Sequence, residues 1–139
     1  MFRLAAVQAA VLEVKLKYLN GWHESRRRNA AIYDKAFAGT NVIPPRIEPG
    51  NHSIYNQYVV RVPDRDAVKQ QLSQRGVSTA VYYPIPLHLQ QCFAYLGHKE
   101  GDFPASEQAC REVLALPVYP ELTDEQVKYV ARTLLEVVG

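Results

Sequence analysis

The chain has 139 residues, 47% of them apolar, and a formal charge of +2 at neutral pH. That composition supports one domain, residues 1–139, around a single core, and so small a charge argues against a nucleic-acid or anionic-membrane binder. No apolar run approaches the ~20 residues of a membrane span, and the N-terminus lacks the pattern of a secretory leader. A soluble, cytoplasmic protein is the expectation. Cys92 and Cys110 make neither a metal spacing nor a disulfide framework and read as reduced packing residues.

From Leu4 the apolar residues Val7, Val11, Val14 and Tyr18 recur at helical spacing beside a small-residue surface of Ala5, Ala6, Ala9 and Ala10. Asn20-Gly21 predicts a break or kink, and a second helix carries Trp22, Ala30, Tyr33 and Phe37. The run Arg26-Arg27-Arg28 reads as a solvated face of that helix. Prolines and glycines between Gly39 and Gly50 mark a connector with a short extended piece at residues 41–43. "SIYNQYVVRVP" alternates with period two and predicts a strand with Ile54, Tyr58, Val60 and Val62 on one face and Tyr55, Gln57, Val59 and Arg61 on the other.

Asp64 sits where it could cap a helix burying Ala67, Val68 and Leu72, and Gly76 where a left-handed C-terminal cap is wanted. "VSTAVYY" predicts a second strand, stopped by Pro84 and Pro86. A short helix over "LQQCFAYLG", a longer one over "DFPASEQACREVLAL" and an extended "LPVYP" follow. Thr123 and Gln126 stand at capping-box spacing before a last helix with Val127, Val130, Leu134 and Val137 on one face. The order is α+β: helices over a small, largely antiparallel sheet.

Phosphate-loop, GxSxG and HExxH patterns are absent, so spacing alone identifies no enzyme. The segment "TAVYYPIPLHLQQ" attracts attention because Pro84-x-Pro86 stiffens the loop that presents His88, whether as a ligand contact or as a structural histidine. Tyr82 and Tyr83, adjacent in an extended stretch, are expected on opposite faces, one in the core and one outward. Arg3 could grip a carboxylate with both arms of its guanidinium, or could be a solvated terminal arginine.

The segments "FRLAAVQAAVLEVKLKYLNGWHESRRRNAAIYDKAF", "YNQYVVRVPDRDAVKQQLSQRGVSTAVYYPIPLHLQ" and "FPASEQACREVLALPVYPELTDEQVKYV" resemble successive parts of the C-terminal portion of DegT/DnrJ/StrS aminotransferases. These are pyridoxal-phosphate (PLP) enzymes of fold type I that aminate keto groups on nucleotide-linked sugars. The resemblance implies the C-terminal small domain with part of a subunit-contact helix. Its "TAVYYPIPLHLQ" is most similar to the subgroup acting on UDP-linked 3-keto-hexuronic acids. It also implies a loop folded over the active-site mouth, with Tyr83 and His88 near the sugar nucleotide and Arg3 reaching a neighbouring subunit's site. Two positions depart from the family pattern: Tyr82 stands where a histidine is usual, and Met1 where an asparagine contacts the PLP phosphate.

A transaminase also needs a Schiff-base lysine and an acid against the pyridine nitrogen, and the resemblance places both upstream. None of Lys15, Lys17, Lys35, Lys69, Lys99 or Lys128 has such a setting. The implied cofactor is PLP for the full-length family and none for this chain alone. Three readings stay open: a non-catalytic fragment of a sugar-nucleotide aminotransferase, a stand-alone module binding UDP-sugars weakly, or a docking module. The partner is then a second copy or a separate large-domain chain.

Overall fold

The computed structural model describes residues 5–139. Two helices, α1 (Ala6–Leu16) and α2 (Leu19–Phe37), precede strand β1 (Tyr58–Arg61) and helix α3 (Arg65–Gln74). Two 3-10 turns (Leu87–Leu89 and Gln91–Leu96) lead to α4 (Pro104–Glu112), β2 (Val113–Leu116) and α5 (Asp124–Val138). The α+β expectation holds: a mostly helical molecule with one small antiparallel sheet. No helix among the described residues is long and apolar enough to cross a membrane.

β1 and β2 pair with Tyr58 opposite Leu116 and Arg61 opposite Val113. Single bridges extend the ladder on both sides, Ile43 to Arg61 and Ala80 to Ala115. Tyr58 and Val60 face the core, as the alternation requires. There they meet Ala30, Tyr33 and Phe37 of α2, Leu114 and Leu116 of β2, Leu72 of α3 and Val127 and Leu134 of α5. The rings of Tyr33 and Tyr58 lie 4.9 Å apart at the centre of this cluster.

Local chemistry sets several boundaries. Thr123 accepts from the Gln126 amide at 3.3 Å while Gln126 Oε1 accepts from the Thr123 amide at 2.9 Å, the reciprocal box that the spacing predicts. Gly76 has φ +76°, and its N–H reaches Ser73 O while Val77 N–H reaches Leu72 O. Those two bonds satisfy carbonyls orphaned at the end of α3, and buried Leu72 and Val77 are the apolar pair that accompanies such a cap.

Other boundaries differ from the sequence expectation. The break falls at Lys17 and Tyr18, and Asn20-Gly21 lies inside α2, because one glycine costs a helix only about 1 kcal/mol and does not end it. The strand over 54–62 keeps only residues 58–61, since Tyr55 at φ 47° leaves the extended region. Residues 77–83 are not a strand and contribute one bridge at Ala80. The partner of β1 is instead Val113–Leu116, which the sequence assigns to a helix. Asp64 adopts a left-handed conformation and makes no side-chain cap, while Ala67 is exposed and Arg65 is buried in its place. Cys92 is exposed and packs no core.

Candidate functional site

The segment 79–91 is held at both ends. Upstream, Ala80 exchanges two backbone bonds with Ala115, of 3.2 and 2.8 Å. Downstream, Pro86 is buried, and its carbonyl accepts from Leu89 N–H at 3.0 Å as the 3-10 turn begins. Between these anchors Tyr82 and Tyr83 are both exposed, by 43% and 68%, their rings edge to face at 6.0 Å. The expectation that one of them joins the core fails because ladder pairing stops at Ala80, so strand alternation no longer governs residues 82 and 83.

His88 turns inward. Its side chain is 7% exposed, and Nε2 lies 3.0 Å from Oε1 of Glu107, itself 7% exposed. The same carboxylate oxygen accepts the Gly101 amide at 2.8 Å and the Phe103 amide at 3.4 Å. Burial alone would raise the Glu107 pKa, but the Gly101 amide, the His88 ring and the Phe103 amide outweigh it and hold the carboxyl below its ordinary range. The Phe103 ring covers the imidazole at 4.8 Å. The structure thus brings Tyr83 to the surface and His88 beneath it, while Arg3 lies outside the described residues.

Beside Tyr82 opens a groove of about 360 Å³ whose polar lining also takes in Arg26 from α2, Asn56 and Gln57 before β1, Ser78, Thr79 and Tyr119. A guanidinium, two amides, two hydroxyls and two phenols suit an anionic, hydroxyl-rich ligand. Sequence reasoning named neither this lining nor Glu107. In sequence Arg26 reads as part of a solvated helix face, and the signal for Glu107 is an acid in the first turn of a helix opened by proline. A larger cavity of about 740 Å³, between the end of α3 and α5, holds Tyr119, Leu122 and Tyr129 with Lys128 and Arg132 and does not include the 79–91 loop's tyrosines.

PLP chemistry asks for a lysine amine in a dry cleft. Lys15, Lys17, Lys35, Lys69, Lys99 and Lys128 are all solvent-exposed, and Lys15 lies over the Trp22 ring. The residues described therefore do not fit that cofactor by themselves. Among them, no group of acids, histidines and cysteines is arranged to hold a metal ion.

The family model for the DegT/DnrJ/EryC1/StrS aminotransferases matches residues 1–135. A Geobacillus stearothermophilus protein named a pleiotropic regulatory protein is 44% identical over 137 residues, covering 96% of this chain and 37% of its own length. The UDP-2-acetamido-2-deoxy-3-oxo-D-glucuronate aminotransferase of Pseudomonas aeruginosa is 36% identical, covering 95% of this chain and 36% of its own. A solved DegT/DnrJ/EryC1/StrS aminotransferase from Brucella abortus superposes with a TM-score of 0.90 at 34% identity, over 99% of this chain and 36% of that one. The chain spans about a third of the length of the relatives it matches.

Proposed function

This chain belongs to the DegT/DnrJ/EryC1/StrS aminotransferase family, and from that premise we propose that it is the part of a sugar-nucleotide aminotransferase that shapes the substrate mouth and does not transaminate alone. The family uses PLP. In this reading the lysine and the cofactor-holding acid come from outside the residues described. What this chain supplies is recognition. The carrying observation is the pair Tyr82 and Tyr83, exposed on a loop clamped at Ala80 and Pro86 beside a groove lined by Arg26, Asn56 and Gln57.

The proposed ligand is a UDP-sugar, preferentially a uronic acid, in keeping with the Pseudomonas aeruginosa relative's substrate. Tyr83 offers a hydroxyl to the sugar and Arg3 a fork for its carboxylate. With one wall of the pocket missing, affinity should be millimolar or weaker, because competent sites enclose most of a ligand. Titration of the chain with UDP-N-acetylglucosaminuronate and with UDP-glucose, followed on the amides of residues 79–91, tests the reading. A uronate preference lost in Arg3→Ala supports it. Equal shifts with both ligands, or shifts confined to another region, overturn it.

We also propose that α1 is a docking helix for a second copy or for the remaining part of such an enzyme. It buries none of its residues, and Val7, Val11 and Val14 form an apolar strip in open solvent.

A further inference from the structure

We propose that Glu107 and His88 are positioning residues for the mouth loop: a buried carboxylate that pins the loop from behind and thereby fixes where Tyr82 and Tyr83 stand. This rests on the functional reading above only in what the tyrosines touch; the mechanical claim stands on the chain's own geometry. Residues 87–103 contain two short 3-10 turns and no α-helix or strand, and such a segment makes few backbone bonds of its own. One oxygen, Oε1 of Glu107, gathers both ends of it. His88 near its start and Gly101 and Phe103 at its close all converge there, at 3.0, 2.8 and 3.4 Å.

The linkage from this anchor to the tyrosines is short and stiff. Between Tyr83 and His88 lie Pro84, Ile85, Pro86 and Leu87, and each proline has a fixed φ. Gln90 reinforces the stretch by donating from Nε2 to Ile85 O at 3.3 Å. On the other side, Ala80 is tied to β2. Tyr82 and Tyr83 therefore sit on a span with one end sewn to the sheet and the other pinned through His88 to the first turn of α4. A buried carboxylate left without its donors is costly, so the pin holds as long as Glu107 is ionised. The other titratable groups around it are Glu100, Cys110 and Arg111, which line the small cavity under Pro84 and Pro86, and His98 and Asp102, which face each other across the loop at 3.4 Å.

The test compares the full chain with Glu107→Ala, Glu107→Gln and His88→Ala by amide hydrogen exchange and by the ring signals of Tyr82 and Tyr83. In Glu107→Ala the Gly101 and Phe103 amides should exchange on the order of tenfold faster, both tyrosine signals should move toward averaged positions, and the amides of Val60, Leu72 and Leu134 should stay protected. His88→Ala should move the tyrosine signals in the same direction. Glu107→Gln keeps an acceptor oxygen and should restore most of the protection, whereas the wild-type ring signals should shift as the carboxylate is protonated and those of Glu107→Gln should not. The proposal is overturned if the Gly101 and Phe103 amides loosen while the tyrosine signals stay put, or if core protection is lost together with the loop's. Titration with UDP-N-acetylglucosaminuronate separates the two readings. If the wild-type chain does not bind the sugar but the tyrosines still follow Glu107, the substrate assignment falls and the positioning role stands.

Discussion

Asn29 and Tyr33 are polar side chains at the centre of an apolar core, and each reaches the same stretch of backbone. Asn29 Nδ2 donates to Tyr119 O and Tyr33 Oη to Pro117 O, both at 2.9 Å. Burial first, and Tyr119 second, hold the Tyr33 phenol above its ordinary pKa, so it stays a neutral donor at any physiological pH. Tyr33→Phe should cost about 1–2 kcal/mol in urea unfolding, because the phenol leaves an acceptor without a partner. The acids titrate in the opposite sense. Glu107 is held low by its amide and imidazole donors, and Glu112 by Gln108 and Arg61. A carboxylate lowered in the folded state contributes fully above its ordinary value and loses that contribution as the pH falls through the lowered one. Stability should therefore decline as the pH drops below 4.5, and Glu107→Gln should flatten part of that decline, with Glu112→Gln flattening another part.

At the scale of elements, the ends written in local chemistry are the most readable. Thr123→Ala removes one half of the α5 capping box and should destabilise the chain by about 1 kcal/mol, measured by chemical denaturation, while Thr123→Asn should lose much less. The α5 cap and the Gly76 turn could be read from sequence because the residues that make them are neighbours in the chain. β2 could not. Val113-Leu114-Ala115-Leu116 is a short apolar run compatible with the end of a helix or with a buried strand, and what decides is pairing with residues 58–61, more than fifty positions away. The same limit applies at the candidate site. The stiff loop and its tyrosines are visible in "YYPIP", whereas the inward turn of His88 depends on a carboxylate nineteen residues downstream. Tyr55 breaks its strand at a φ of 47° that no residue-type preference announces.

For the whole molecule, the distribution of apolar surface is uneven. The core is closed around Tyr33, Tyr58 and Leu134, yet Val7, Val11 and Val14 are 77%, 53% and 58% exposed along α1. A strip of that kind is expected to be covered by like surface, so the chain should associate through residues 6–16. Light scattering at about 100 μM should report a dimer or larger species, and Val11→Glu should return a monomer without lowering the unfolding midpoint of the core. A monomeric wild type would remove this expectation. How such association behaves follows from the sheet. On its outer side β1 is bridged at Arg61 by Ile43, and the next two residues are Pro44 and Pro45, which have no N–H to offer a newcomer. Beyond Ala80 the opposite side runs into Pro84 and Pro86. With both margins short and interrupted by prolines, strand addition is disfavoured and copies of this chain should meet through side chains. Contacts of that type weaken on cooling and undo on dilution, so chilled, dilute stocks should disperse where a cross-β fibre would persist.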